Sequence, residues 1–213
     1  MLSQGYDQIV HIPMSSGLSA SCVTAQGLAA DFDGKVQVVD NHRVSVSQYD
    51  AVMDAIAMVK EGMDAPSIRK ELEAGGLDSV IYLGVDTLKY FKKNGRCTAA
   101  SAALGTVLNI KPLLKCDGNR FDAVAKVRGA ANCRKQIAQL AAQTVADMQA
   151  QGFTVRVGVA GSFNDPADTA AWVEQIQAAV PGVSLHYEPL SFSVICHTGP
   201  EAFGLSVSRR LRG

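Results

Sequence analysis

Ile9-Val10-His11-Ile12-Pro13-Met14-Ser15-Ser16-Gly17-Leu18-Ser19 passes from an apolar stretch through a turn of Pro, two Ser and Gly into residues 18–31, where apolar positions recur at helical spacing. This reads as strand, turn and helix. A junction of that kind turns free backbone N–H groups and short hydroxyls toward one point, where the helix dipole favours negative charge. One reading is a site for a small ligand with an anionic or polar head. Serine is also the ordinary N-cap residue, so a purely structural cap is the other.

Working outward, strands are expected at 6–12, 35–40 and 80–83, with helices at 48–60 and 65–74 between them. That alternation predicts a mainly parallel sheet with flanking helices. Past Val85 the pattern changes. Helices are expected at 86–93, 98–108, 132–149 and 165–180, and strands at 113–115, 120–127, 153–160, 184–187 and 192–196. Asp117-Gly118 joins the first two of those strands as a hairpin. The expected fold class is therefore α/β in two domains. Residues 1–84 would hold an incomplete, mainly parallel sheet, and residues 85–213 a mixed sheet with helices. Only three strands precede the boundary, fewer than an open sheet normally carries, so something upstream is expected to be missing. Arg209-Arg210-Leu211-Arg212 reads as a frayed tail rather than a nucleic-acid site.

Composition narrows the function classes. Of 213 residues, 47% are apolar and 19% charged, the balance of a globular chain with a real core. Lys plus Arg equals Asp plus Glu at 20 each, so no global field recruits nucleic acid or a membrane. No apolar run approaches bilayer length and no basic-then-apolar leader is visible, which makes a cytoplasmic protein without stable membrane insertion the expectation. Cys22, Cys97, Cys116, Cys133 and Cys196 are scattered, odd in number and never in a CxxC pair, so neither a metal site nor a disulfide framework is expected.

Three groups of residues could carry chemistry. His197-Thr198-Gly199-Pro200 follows the expected strand 192–196, which would place an imidazole at a strand's carboxyl end, where open α/β sheets bind ligands. A histidine capping a turn is the plainer account. Arg96, Lys126 and Arg128 could form a local basic patch, or simply be solvated surface charge. Ser16, Asp40 and His197 fall in the chain order of a hydrolase triad, but no G-x-S-x-G elbow surrounds any serine.

In this order the motifs resemble those of DegV family proteins: residues 11–19, Val38-Val39-Asp40, Val85-Asp86-Thr87-Leu88 through Gly95-Arg96, Gly105 to Pro112 (GTVLNIKP), Asp117-Gly118, Lys126-Val127-Arg128-Gly129 and His197-Thr198-Gly199-Pro200. The resemblance spans essentially the whole chain. It implies a long-chain fatty acid in a buried tunnel between two α/β domains, presented to a fatty acid kinase that makes an acyl phosphate for phospholipid synthesis. The binding protein would itself be no enzyme and carry no cofactor. Carried over by motif, the carboxylate ligands are Ser15, Ser16 and His197, with Gly17, Thr198 and Gly199 as supporting turns; Arg96, Lys126 and Arg128 fall where the family places a kinase-docking surface.

This chain departs from the family in three places. The family's opening segment, with its first strands and a Thr-containing loop, has no counterpart, so a C-terminal fragment, an artificially shortened chain or a degenerate gene is expected. Glu201 stands where glycine is usual, and Asn41-His42 and Gln48-Tyr49 replace a Ser- and Gly-containing stretch. Two alternatives stay open: a serine hydrolase using Ser15 or Ser16 with His197, and a fragment without ligand binding.

Overall fold

The computed structural model describes residues 1–102 and 110–212. Gly105 to Asn109 of the GTVLNIKP motif, and most of the helix expected at 98–108, lie outside them.

A small parallel sheet opens the chain. Strand β1 (Ile9–His11) pairs with β2 (Val36–Val38), Val10 opposite Gln37. Between them runs α1 (Ser21–Ala29), continued by a 3-10 turn over Ala30–Phe32. The helix starts three residues later than its periodicity suggests, because the chain first turns at residues 16–18. Helices α2 (Val46–Lys60) and α3 (Ala65–Ala74) cover one face of this sheet, burying Val39, Ala51, Met58, Ile68 and Leu72 together. Helix α3 carries its own start signal: the Asp64 carboxylate accepts from the Ser67 N–H at 2.9 Å, and Pro66 occupies the first turn.

The larger sheet has six strands: β3 (Ser79–Gly84), β4 (Ile110–Cys116), β5 (Asp122–Arg128), β6 (Val155–Gly161), β7 (Ser184–Pro189) and β8 (Phe203–Arg209), in the order β5-β4-β3-β8-β6-β7. It is mixed. β6 and β7 are parallel, and β8 runs antiparallel to both of its neighbours. Two sequence expectations are corrected here. Residues 80–83, expected as a third strand of the first sheet, pair instead with β4 and β8; an apolar run specifies a strand, not which strands will lie beside it. Residues 203–209, for which the sequence predicts no strand and whose last residue falls in the expected frayed tail, form β8 in the interior of the sheet. The tail beyond it is anchored: the Asp54 carboxylate accepts from the N–H groups of Leu211 and Arg212 at 3.4 and 3.3 Å, and Arg212 pairs with Glu61 and Glu71.

Each face of the six-stranded sheet has its own core. On one side α6 (Ala130–Ala150) and α7 (Pro166–Ala179) cover Val80, Val157, Val159, Leu205 and Val207. Trp172 is fully buried there, edge-on to Phe203, and the Arg134 guanidinium lies 5.2 Å from the centres of both Phe163 and Phe203. On the opposite face the register builds three rows across β3, β8 and β6. Leu83, Gly204 and Ala160 form the first, Ile81, Ser206 and Gly158 the second, Ser79, Ser208 and Arg156 the third. The rows run from apolar to polar. Helix α2 seats on the polar end, where the Arg156 guanidinium meets Asp50 and Asp54, both almost wholly buried. Burial pushes Asp50 up to about 6, against the pull of Arg156 and Arg43. The apolar end is covered by α4 (Lys89–Asn94), α8 (Phe192–Thr198) and the loops that follow β1 and β2. A further short helix, α5, spans Ala99–Ala102.

Residues 192–196 were expected as a strand and are helical. Their short apolar run fits either structure by periodicity. Ser191, in extended conformation, begins the helix, and Gly199, at φ 80°, ends it with its N–H on the Ile195 carbonyl at 2.8 Å.

Candidate functional site

Above the first row of the sheet lies a cavity of about 170 Å³. Its walls come from both sheets' territories. Met14 and Leu18 follow β1, Val44 and Val46 lead into α2, and Ile81, Leu83, Phe91, Phe121, Ala160, Leu190, Val194 and Leu205 belong to the larger unit. Polar groups are few: Ser19, Ser45, Arg96, Ser193, His197 and Thr198. An apolar chamber with a few convergent polar groups is the usual form of a site for a small amphipathic molecule.

The histidine–arginine end is built by α4 and α8, which pack on each other. Arg96, just past the α4 C-terminus, donates from Nε to the Leu18 carbonyl at 3.2 Å and from Nη1 to the Asn94 carbonyl. Those bonds fix the guanidinium between the larger unit and the serine loop. His197 sits in the last turn of α8 rather than at the end of a strand, and its buried Nδ1 has no hydrogen-bond partner. Burial, then the nearby Arg96 charge, holds its pKa below the ordinary histidine value. The result is a neutral imidazole beside a fixed cation, both facing an apolar chamber.

The two serines of the opening motif sit elsewhere. Ser15 is fully buried; its hydroxyl donates to the Gly118 carbonyl and accepts from the Gly17 N–H at 3.1 Å. Its own N–H goes to the Arg43 carbonyl at 2.8 Å, and its carbonyl accepts from Leu18 and Ser19. Ser16 faces Asp40. Its N–H donates to that carboxylate at 3.2 Å and its hydroxyl bonds to it as well. Partial burial alone would raise the Asp40 pKa, but the two bonds from Ser16 and the adjacent His42 bring it below the usual carboxylate value. Neither serine lines the cavity; Ser19 does. Because α1 begins only at Ser21, the N–H groups of residues 16 and 17 are spent inside the turn rather than at a helix end.

Gly17 is required for close approach: a Cβ there would lie 2.8 Å from the Asn119 Cα in the β4–β5 turn. Gly199 is held by both conformation and space, since a Cβ would meet the Tyr90 ring at 2.6 Å. Thr198 reaches the cavity wall while its hydroxyl donates to the Gly199 carbonyl at 3.0 Å. Glu201 does not oppose an anion in the cavity, because its carboxylate accepts from the Asn164 N–H and side-chain amide at 3.2 and 2.5 Å. Of the three basic residues, only Arg96 lines the chamber. Lys126 and Arg128 are exposed on β5, an edge strand.

Sequence reasoning missed Ser19, Ser45 and Ser193. Ser45 carries one signal in the structure, a backbone at φ 57°, ψ −132°, strained for a residue with a side chain, at the point where the chain turns into α2. Among the described residues no cluster of three His, Cys, Asp or Glu side chains could hold a metal ion. Cys22, Cys97, Cys116 and Cys133 are buried free thiols, Cys116 and Cys133 pushed up to about 11 by burial, while Cys196 is exposed. No helix among the described residues is long and apolar enough to cross a membrane.

The chain is similar to known proteins in sequence and in fold. A DegV domain-containing protein of Deinococcus radiodurans is 33% identical over 206 residues, spanning 94% of this chain and 70% of its own length. The solved structure of a fatty-acid-binding DegV family protein from Thermus thermophilus superposes with a TM-score of 0.82 at 28% identity, over 98% of this chain and 73% of that one. DegV of Bacillus subtilis, described as a fatty acid binding protein, gives 0.80 at 25% identity over 98% and 73%. The model of the family described as "Uncharacterised protein, DegV family" matches residues 1–210. With the fold, the motif order and these likenesses in agreement, the chain belongs to the DegV family.

Proposed function

We propose that this chain binds a long-chain fatty acid, its tail in the apolar cavity and its carboxylate against Arg96 and His197. The observation that carries this reading is the buried, unpartnered His197 Nδ1 beside a fixed guanidinium at the rim of an apolar chamber. A carboxylate leaving water needs charge-assisted donors, and each methylene it brings adds roughly 0.8 kcal/mol of apolar burial. Ser19, on the wall near Leu18, is a third donor for the head. Ser15 and Ser16 act on the site from behind, holding the turn that presents Leu18 and Ser19. The fatty-acid-binding relatives from Thermus thermophilus and Bacillus subtilis support the ligand class.

Presentation of the bound acid to a separate kinase is the finer part of the proposal. Its support is the exposed pair Lys126 and Arg128 on the β5 edge, a basic surface suited to a protein partner, together with the motif resemblance. Native mass spectrometry of the purified chain, and titration of the delipidated chain with palmitate, test the reading. A fatty acid should co-purify or bind, and Arg96→Gln with His197→Ala should weaken it about 10- to 100-fold, the worth of hydrogen bonds to a charged group. A chain that holds no fatty acid and takes up none refutes it.

A further inference from the structure

The cavity has a histidine–arginine end and another end, and the second has a definite structure. Thr198 and Gly199 stand only a short turn, residues 200–202, before β8, so the polar rim lies at the start of that strand, beyond the row of Leu83, Gly204 and Ala160. One row further, about 6.6 Å along the strands, lie Ile81, Ser206 and Gly158. Here the floor stops being apolar. A Cβ placed on Gly158 would lie 2.7 Å from the Val46 Cβ, 3.0 Å from the His186 Cε1 and 3.1 Å from the Ser206 Oγ. The space of the absent Gly158 side chain is therefore filled by Val46, the first residue of α2 and part of the cavity wall, and His186 and Ser206, which are outside that wall, border the same space.

We infer that Val46, seated on Gly158, is the end stop of the cavity and sets the length of acyl chain it takes; this rests on the fatty-acid reading above. Shape and polarity agree on it. Val46 is 3% exposed, a β-branched side chain with little rotamer freedom in a helix, so it does not swing aside. Behind it, the Ser206 hydroxyl and the His186 Nε2 are buried without hydrogen-bond partners, and the Asp50–Arg156–Asp54 cluster follows. A terminal methyl pushed past Val46 would cut these groups off further from any partner, which is unfavourable. The ion pairs between α2 and β6 anchor the helix that carries the stop, and the strained turn at Ser45 delivers it to the wall.

The test is competition among saturated fatty acids of increasing length, read by native mass spectrometry on the wild type, Val46→Ala and Val46→Leu. V46A should shift the preferred chain longer, each methylene newly buried tightening binding about fourfold. V46L should shift it shorter, while acids too short to reach the stop bind all three proteins alike. Wild type and both variants binding with one unchanged length profile would overturn the end stop alone. A wild type that takes up no fatty acid of any length removes the fatty-acid reading and the end stop with it.

Discussion

Arg96 and His197 share one rim of the cavity, where burial and then the Arg96 charge hold the imidazole's pKa below its ordinary value. Because burial and the Arg96 charge both lower the His197 pKa, removing that charge must raise it. In Arg96→Gln the His197 ring resonances should titrate at higher pH than in the wild type, as followed by NMR. Saturating the wild type with palmitate should also raise the value, since a bound carboxylate favours the imidazolium. An unchanged titration on both counts would mean that the two side chains and the ligand do not meet.

Ser15 is a structural tie before it is anything else. Its hydroxyl satisfies the Gly118 carbonyl, across 103 residues of chain, and the nearby Gly17 N–H. Ser15→Ala leaves the buried Gly118 carbonyl unpaired and should cost about 1–3 kcal/mol in urea unfolding. The hydroxyls of Ser15 and Ser16 are both engaged, with Gly118 and with Asp40, so a fluorophosphonate probe should label neither. Stoichiometric labelling of either would restore the hydrolase alternative.

The polar seat of α2 makes stability depend on pH with a definite sign. Asp50 ionises at about 6 in the folded chain against 3.8 as the ordinary value, so the folded state holds its proton more tightly than the unfolded state does. Stability from this group is present below 3.8 and is lost as pH rises through about 6. At roughly 1.4 kcal/mol per pH unit the loss is about 3 kcal/mol. His186, lowered first by burial, works in the opposite sense and loses stability as pH falls below 6.5. Asp50→Asn should abolish the first limb and keep the second, seen in urea midpoints measured from pH 4 to 8. A D50N profile parallel to that of the wild type would contradict the assignment.

Asp54 does more than its neighbour one turn away. It answers Arg156 and also receives the N–H groups of Leu211 and Arg212. Asp54→Ala takes one of two carboxylates from a buried guanidinium, leaving it Asp50, and removes the acceptor of the tail's N–H groups, so a loss of about 1.5–3 kcal/mol is expected. Hydrogen exchange should show the amides of Leu211 and Arg212 losing protection in D54A. Retained protection there would show that the tail is held by something else.

Legibility followed locality. Ala65–Ala74 could be bounded from the sequence because Pro66 and Gly75 stand at its two ends, and the antiparallel β4–β5 hairpin because Asp117-Gly118 sits inside it. Helix α8 could not, since seven residues are too few for the periods of 3.6 and 2 to separate. Strand β3 was visible as a strand but not as a partner of β8, whose residues lie more than a hundred positions later. At the site, His197 and Arg96 stood out by chemistry, and the structure brings both to one chamber. The hydroxyls of Ser15 and Ser16 answer Gly118 and Asp40, relations that no local pattern carries. Val46 gave no signal at all, being an ordinary first-turn residue whose importance comes from a glycine on another element.

The order β5-β4-β3-β8-β6-β7 has a kinetic consequence. Until residues 203–209 have been synthesised, the larger sheet exists as two unjoined halves, β5-β4-β3 and β6-β7, each presenting a raw edge where β8 will lie. The contacts that close it have long sequence separation, which slows folding. A nascent chain stalled short of β8 would thus carry two sticky strand edges and an open half-core, the form most apt to aggregate on the ribosome or to need a chaperone. Folding of this chain is therefore gated by the arrival of one strand, and the cavity, floored by that same strand, comes into being only at that moment.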